Sequence, residues 1–266
     1  PRDGRPARHE RGPGARRDPV TKQRETRQSV LELIESLQVG AAIPSERQLG
    51  VDLGVSRLTV RAALDGLVRE GYLVRRRGAG TFVAAPKVAK GMDISSFSDD
   101  MRARGLKPGS RTLDLAVVPA GARLGRLLHV SPSEAIVAVK RLRLADGDPM
   151  AIELLHVRSS LVPGLTALDL EQHSFYDLLT QRYEISIAGG TQTVEPTVTS
   201  DEESAALGVP LHSPALLFER ITRTAAGDVV EFTNSTYRGD RYRLVTELGV
   251  GGRPSQPLEI AAVELR

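Results

Sequence analysis

Between Pro44 and Val83 the chain places two brief helices, a glycine turn between them and a two-stranded hairpin in direct succession. Few folds accept that order. Pro44-Ser45-Glu46-Arg47-Gln48-Leu49 opens a helix. Ser45 is a good N-cap, and Gln48 stands three residues later, as a capping box requires. Leu49 and Leu53 face inward, and Gly54 stops the helix after barely two turns. Ser56 caps a second helix from Arg57 to about Glu70, with Val60, Ala63, Leu64 and Leu67 as its apolar stripe. Two short helices joined by a tight glycine-containing turn are the helix-turn-helix signature. Gly66 costs the second of them about 1 kcal/mol relative to Ala, and close packing would account for it. Gly71 ends that helix. Tyr72–Arg76 then reads as a strand, Arg77-Gly78-Ala79-Gly80 as a turn and Thr81–Ala84 as the return, which makes a wing. Upstream, Val30, Ile34 and Leu37 recur at helical spacing over Thr21–Leu37.

Charge sharpens this reading. Residues 1–85 carry 16 Lys and Arg against 10 Asp and Glu, whereas the rest carry 20 against 23. A basic end on a mildly acidic chain points to nucleic acid. Part of that charge lies in a Pro-, Gly- and Arg-rich arm, residues 1–20, which reads as disordered and has no apolar core for a secretory signal. Three features have a physical reason to meet DNA. Arg57, Thr59 and Arg61 lie near the start of the second short helix, the part of a recognition helix that reads bases in the major groove. Ser45 and Arg47, like Ser56, sit at helix starts, where backbone N–H groups can hold a phosphate. The wing tip, with Arg77 and Gly80, allows close approach to the duplex.

The chain of 266 residues is long enough for a second domain. Residues 86–92 read as a linker and hinge, and 93–266 as an α+β domain on a mainly antiparallel sheet. Residues 96–104 and 174–182 look helical, and acids at 201–203 suit a helix start. Strands Ile136–Ala145 and Met150–Val157 flank one turn; Ala215–Thr224 and Val229–Tyr237 flank another. Gly189-Gly190 reads as an isolated loop. Arg141 and Arg143 share one face of their strand, where two guanidiniums suit a phosphate or carboxylate clamp, although paired strand arginines are more often solvent-exposed salt-bridge partners, here of Glu134 or Glu153. Glu153 suits a sugar hydroxyl or an ammonium. Ser95, Ser96, Phe97 and Ser98 lead into one helix, and Ser174 and Tyr176 into another, where hydroxyls and N–H groups favour an anion unless they serve only as caps.

No apolar run reaches membrane length, so no membrane association is expected. With no cysteine, disulfides and thiol chemistry are excluded. The five histidines make no metal pair, and no nucleotide-binding glycine loop is present, so no cofactor is expected. A cytoplasmic, nucleoid-associated protein is the natural expectation. No acid–base pair with a nucleophile argues for an enzyme.

The N-terminal motifs resemble the GntR family of bacterial transcription regulators. The matching residues are Ile43-Pro44-Ser45-Glu46-Arg47-x-Leu49, Ser56-Arg57-x-Thr59-Val60-Arg61-x-Ala63-Leu64, and Glu70-Gly71-Tyr72 running into Arg77-Gly78-Ala79-Gly80-Thr81-Phe82-Val83. Gly50 stands where the family usually has Ala. The resemblance implies that Arg47, Arg57, Thr59 and Arg61 contact an operator, that Gly80 enters the minor groove, and that a homodimeric repressor binds a palindromic site. Residues beyond 90 resemble the UTRA effector domain of the HutC branch, whose fold is chorismate-lyase-like, and most of all amino-sugar regulators of the NagR and DasR type. That likeness rests on Phe97-x-x-Asp100-Met101-Arg102-Ala103-x-Gly105-Leu106, on Arg141-Leu142-Arg143 through Glu153, and on Tyr237–Tyr242. It implies glucosamine 6-phosphate or its N-acetyl form as effector, held by Arg141, Arg143, Ser174 and the Ser95–Ser98 loop, with Glu153, Glu231 and Tyr237 facing the sugar. Other branches sense other anions, and a constitutive DNA binder is the remaining alternative.

Overall fold

The computed structural model describes residues 19–90 and 94–245 and divides the chain after Ala85. Most of the expected basic arm therefore lies outside the described residues, and Pro19 and Val20 already belong to the first helix.

The N-terminal unit contains α1 (Pro19–Glu35), α2 (Glu46–Asp52), α3 (Arg57–Glu70), β1 (Leu73–Arg76) and β2 (Gly80–Val83). Its core is Val30, Ile43, Leu49, Val60, Leu64, Leu67, Leu73 and Val83, so each helix gives one apolar stripe and the hairpin gives its base. Ser45 and Ser56 accept hydrogen bonds from the N–H groups of Gln48 and Thr59, as N-caps do. The expected capping box at α2 is only half made. Gln48 Nε2 donates instead to Asp52 Oδ1 at 2.7 Å, one turn onward. Gly71 closes α3 in the left-handed region at φ 85°, which lets the chain turn straight into the wing. Arg27 on α1 donates to Glu70 at 2.5 Å and ties α1 to the end of α3.

The C-terminal unit is built on six antiparallel strands in the order β4-β5-β6-β9-β8-β7. They are β4 (Pro108–Pro119), β5 (Ala135–Ala145), β6 (Asp148–Arg158), β7 (Gly189–Val198), β8 (Pro214–Arg223) and β9 (Val229–Arg238). The two expected hairpins, β5–β6 and β8–β9, meet through their inner strands. Gly189-Gly190, expected as a loop, begins edge strand β7 instead. A Cβ at Gly190 would lie 2.4 Å from the Ile221 carbonyl oxygen, so this register with β8 admits only glycine. On one sheet face α6 (Ala167–Gln172) and α7 (Phe175–Gln181) supply Leu170, Phe175, Leu178 and Leu179 to Val137, Val139, Leu155 and Val157. On the other, α5 (Gly121–Leu128) covers Ile136 and Phe232, and α8 (Asp201–Leu207) covers Leu142 and Ile152. A short helix α4 (Phe97–Arg102) also belongs to this unit.

Part of the stretch expected as linker is a strand. β3 (Val88–Lys90) pairs in parallel with β10 (Tyr242–Leu244), and Lys87 Nζ donates to the Gly239 carbonyl at 2.6 Å.

Close packing does not account for Gly66. A methyl group at this position would meet only the flexible ends of Glu70 and Arg69, at 3.8 and 4.0 Å. Gly66→Ala is therefore expected to stabilise the N-terminal unit by about 1 kcal/mol in urea unfolding.

Candidate functional site

Alternation along five strands, with a period of two, brings polar groups onto the sheet face that α7 covers. Across the ladder Arg141 stands opposite Glu153, Glu153 opposite Ser235, and Ser235 opposite Phe218. In the next row on that face Thr233 stands opposite Arg220, and Arg220 opposite Gln192. With Ser95–Phe97 ahead of α4 and Ser174–Tyr176 at the start of α7, these residues line a cavity of about 40 Å³. Ten of the eleven residues expected to bind effector line it: Ser95, Ser96, Phe97, Arg141, Arg143, Glu153, Ser174, Tyr176, Glu231 and Tyr237. Ser98 stands behind, accepting from Arg143 Nη2 at 3.3 Å.

The charges are unevenly matched. Arg141 donates through Nε to Glu153 at 3.0 Å, and through Nη2 to the same oxygen. Arg143 is equally buried, yet its partners are the Ser98 and Ser110 hydroxyls and the face of Phe97, 4.6 Å from the guanidinium carbon. Arg220 donates to Gln192 Oε1, to the Ser95 carbonyl at 2.9 Å and to the Tyr176 hydroxyl. Tyr176 in turn donates to Glu231 at 2.7 Å. Three buried polar atoms lack a partner here: Arg141 Nη1, Arg143 Nε and Ser174 Oγ. By contrast, the Ser95 and Ser96 hydroxyls are occupied by Asp100 and Asp99 of the helix they precede.

In the N-terminal unit, Ser45, Arg47, Ser56, Arg57, Arg61, Arg77 and Gly80 are exposed, and Thr59 is half-buried. Arg61 is not free. Its Nε and Nη2 donate to Glu46 Oε2 at 3.0 and 2.8 Å, and Arg75 of the wing joins Glu46 at 3.6 Å and Asp65 at 2.6 Å. This network braces α2, α3 and the wing against one another.

Residues 22–83 match the model of the gntR family of bacterial regulatory proteins, and residues 103–243 match the UTRA domain. The chain is 39% identical over 210 residues to the transcriptional repressor NagR of Bacillus subtilis, covering 79% of this chain and 86% of that one. It is 30% identical over 210 residues to the mannosyl-D-glycerate transport/metabolism system repressor MngR of Escherichia coli, covering 78% and 86%. The crystal structure of PhnF from Mycobacterium smegmatis superposes with a TM-score of 0.60 at 26% identity, over 85% of this chain and 99% of that one.

The chain belongs to the GntR family. Its UTRA half places it in the HutC branch, and it is a DNA-binding transcriptional repressor in a family of regulators rather than enzymes. Among the described residues no helix is long and apolar enough to cross a membrane.

Sequence reasoning misses Arg220 and Gln192 in this GntR regulator's cavity, and Glu46 in its DNA-binding unit. Arg220 is legible by parity, being two residues from Phe218 on the inward face. Its partner is hidden because Gln192 lies on β7, the strand whose glycines resemble a loop.

Electrostatics divides the two cavity acids. Burial alone would raise Glu153, but Arg141 and Arg143 outweigh it and hold the carboxyl below its usual range. Burial raises Glu231 to about 7, only partly opposed by the Tyr176 hydrogen bond and reinforced by Glu153. Burial and repulsion from Arg141 lower Arg143 to about 10. A carboxyl raised in the folded state contributes stability below its unfolded pKa and loses it as pH rises through the folded one. Stability relative to Glu231→Gln is therefore expected to fall between about pH 4.5 and 7, by on the order of 3 kcal/mol, in urea unfolding of both proteins across that range.

Proposed function

We propose that this repressor acts as a cytoplasmic homodimer on a palindromic operator, with α3 in the major groove and the wing beside it. In this reading DNA affinity is controlled by a small phosphorylated sugar, glucosamine 6-phosphate or its N-acetyl form, bound in the sheet cavity. One observation carries the effector assignment: a buried guanidinium, Arg143, with no carboxylate of its own, and three unpartnered polar atoms in its cavity. A phosphate offers acceptors to all of them, and planar guanidiniums suit its geometry. Glu153, Glu231 and Tyr237 remain for sugar hydroxyls. Likeness to NagR supports an amino sugar within the wider class of anions.

At about 40 Å³ the cavity has room for about three waters, so a hexose phosphate has to enlarge it. Effector binding then changes DNA affinity only through unequal affinity for two states of the chain. Dimer symmetry accounts for the palindrome.

The test is thermal unfolding against sugar phosphates, their free sugars and carboxylic acids. A bound effector at about 100 times its Kd stabilises by about 2.7 kcal/mol. Arg143→Gln is expected to abolish that stabilisation without lowering the stability of the free protein, because it removes a buried charge repelled by Arg141. Arg141→Ala is the poorer probe, since it strands the buried Glu153 charge. A shift with carboxylic acids alone would replace the sugar by another anion, and no shift at all would favour a constitutive binder. Arg57→Ala is expected to abolish specific DNA binding, measured by anisotropy on a duplex selected by the wild-type chain, while effector stabilisation is retained.

A further inference from the structure

The buried stripe of α3 is Val60, Ala63, Leu64 and Leu67. At 3.6 residues per turn, the direction opposite that stripe falls on Leu58 and, one turn on, on Ala62. Leu58 is 75% exposed, the most exposed large apolar side chain among the described residues. It stands in the first turn of the helix between Arg57 and Thr59 and takes no part in the unit's core. Isolated apolar side chains are common on surfaces. This one, however, occupies the centre of the outward face of a helix flanked by exposed arginines and the wing. Its neighbour on that face, Ala62, is small enough to let a base edge approach.

The major groove of B-DNA offers one apolar group, the thymine 5-methyl. Polar side chains at this position would compete for base-edge hydrogen bonds, whereas leucine can only exclude water from a methyl. Arg61, beside it, is already engaged by both oxygens of Glu46, whereas Arg57 feels Glu46 only at a distance and Leu58 has no polar group to engage. We propose that Leu58 is a specificity-determining residue that reads a thymine methyl in each half-site. This rests on the reading of α3 as the groove helix.

The full chain would first select its duplex from a random library. Each thymine of that duplex is then replaced in turn by deoxyuridine, which removes only the methyl group. One thymine per half-site is expected at which the replacement weakens binding about fourfold, the effect of one apolar carbon group returned to water. Leu58→Ala is expected to bind the thymine duplex more weakly by a similar factor and to lose nothing further with uracil. If no thymine responds, or if Leu58→Ala responds to uracil as the wild type does, Leu58 does not read a methyl. Arg57→Ala separates the two levels. If it abolishes binding while no thymine responds, only the Leu58 assignment fails. If it leaves binding unchanged, α3 is not the groove helix and both readings fail.

Discussion

Arg141, Arg143 and Arg220 share one face of the UTRA sheet with only two carboxyls, Glu153 and Glu231, and this imbalance organises the C-terminal half of the protein. Arg141 is neutralised by Glu153, which faces it directly across the β5–β6 ladder. Arg143, two residues on and so on the same face, has hydroxyls and an aromatic ring in place of a carboxylate. A desolvated cation–π contact is worth about 2 kcal/mol, well short of the several kcal/mol that burying a guanidinium costs. The unpartnered Nε adds to that deficit. Such a site has donors to spare that a fully paired network lacks, and Ser174, an N-cap whose hydroxyl caps nothing, contributes a further free donor.

The cavity is also physically continuous with the start of the C-terminal unit. Tyr237 lines the cavity and packs against Tyr242, with ring centroids 4.4 Å apart. Tyr242 lies on β10, which holds β3 through a parallel ladder, and β3 begins two residues after Pro86. A change in the position of Tyr237 thus acts on the first residues of the unit through packed rings and backbone hydrogen bonds. In the N-terminal unit, Glu46 plays the corresponding structural part by fixing Arg61 and Arg75 to a common anchor.

Much of this can be read from the sequence because it depends on local periodicity. The caps Ser45 and Ser56, the stop at Gly71 and the wing all follow from residue types within a few positions of one another. Strand parity puts Arg141 and Arg143 on one face without knowledge of strand order, the returning strand offers Glu153, and the family resemblance adds Glu231 and Tyr237 to them. What escapes is non-local or weakly patterned. Arg61–Glu46 spans fifteen positions and joins two elements. The short helices α5 and α6 carry too few turns to show a period, and α5 contains Gly121 and Gly125. β7 escapes because the backbone of β8 requires glycine at a position that would otherwise mark a loop. Gln48 bonds to Asp52 rather than to the cap, a competition between two local partners that spacing alone does not decide.

The central claim is that an anion in the sheet cavity governs DNA binding. The most direct test is the affinity of the full chain for its selected duplex, titrated with glucosamine 6-phosphate, N-acetylglucosamine 6-phosphate and the two unphosphorylated sugars. The account predicts that at least one phosphorylated sugar shifts the DNA-binding midpoint and that neither free sugar does. An unmoved midpoint with both phosphorylated sugars, or an equal shift with a free sugar, would contradict it.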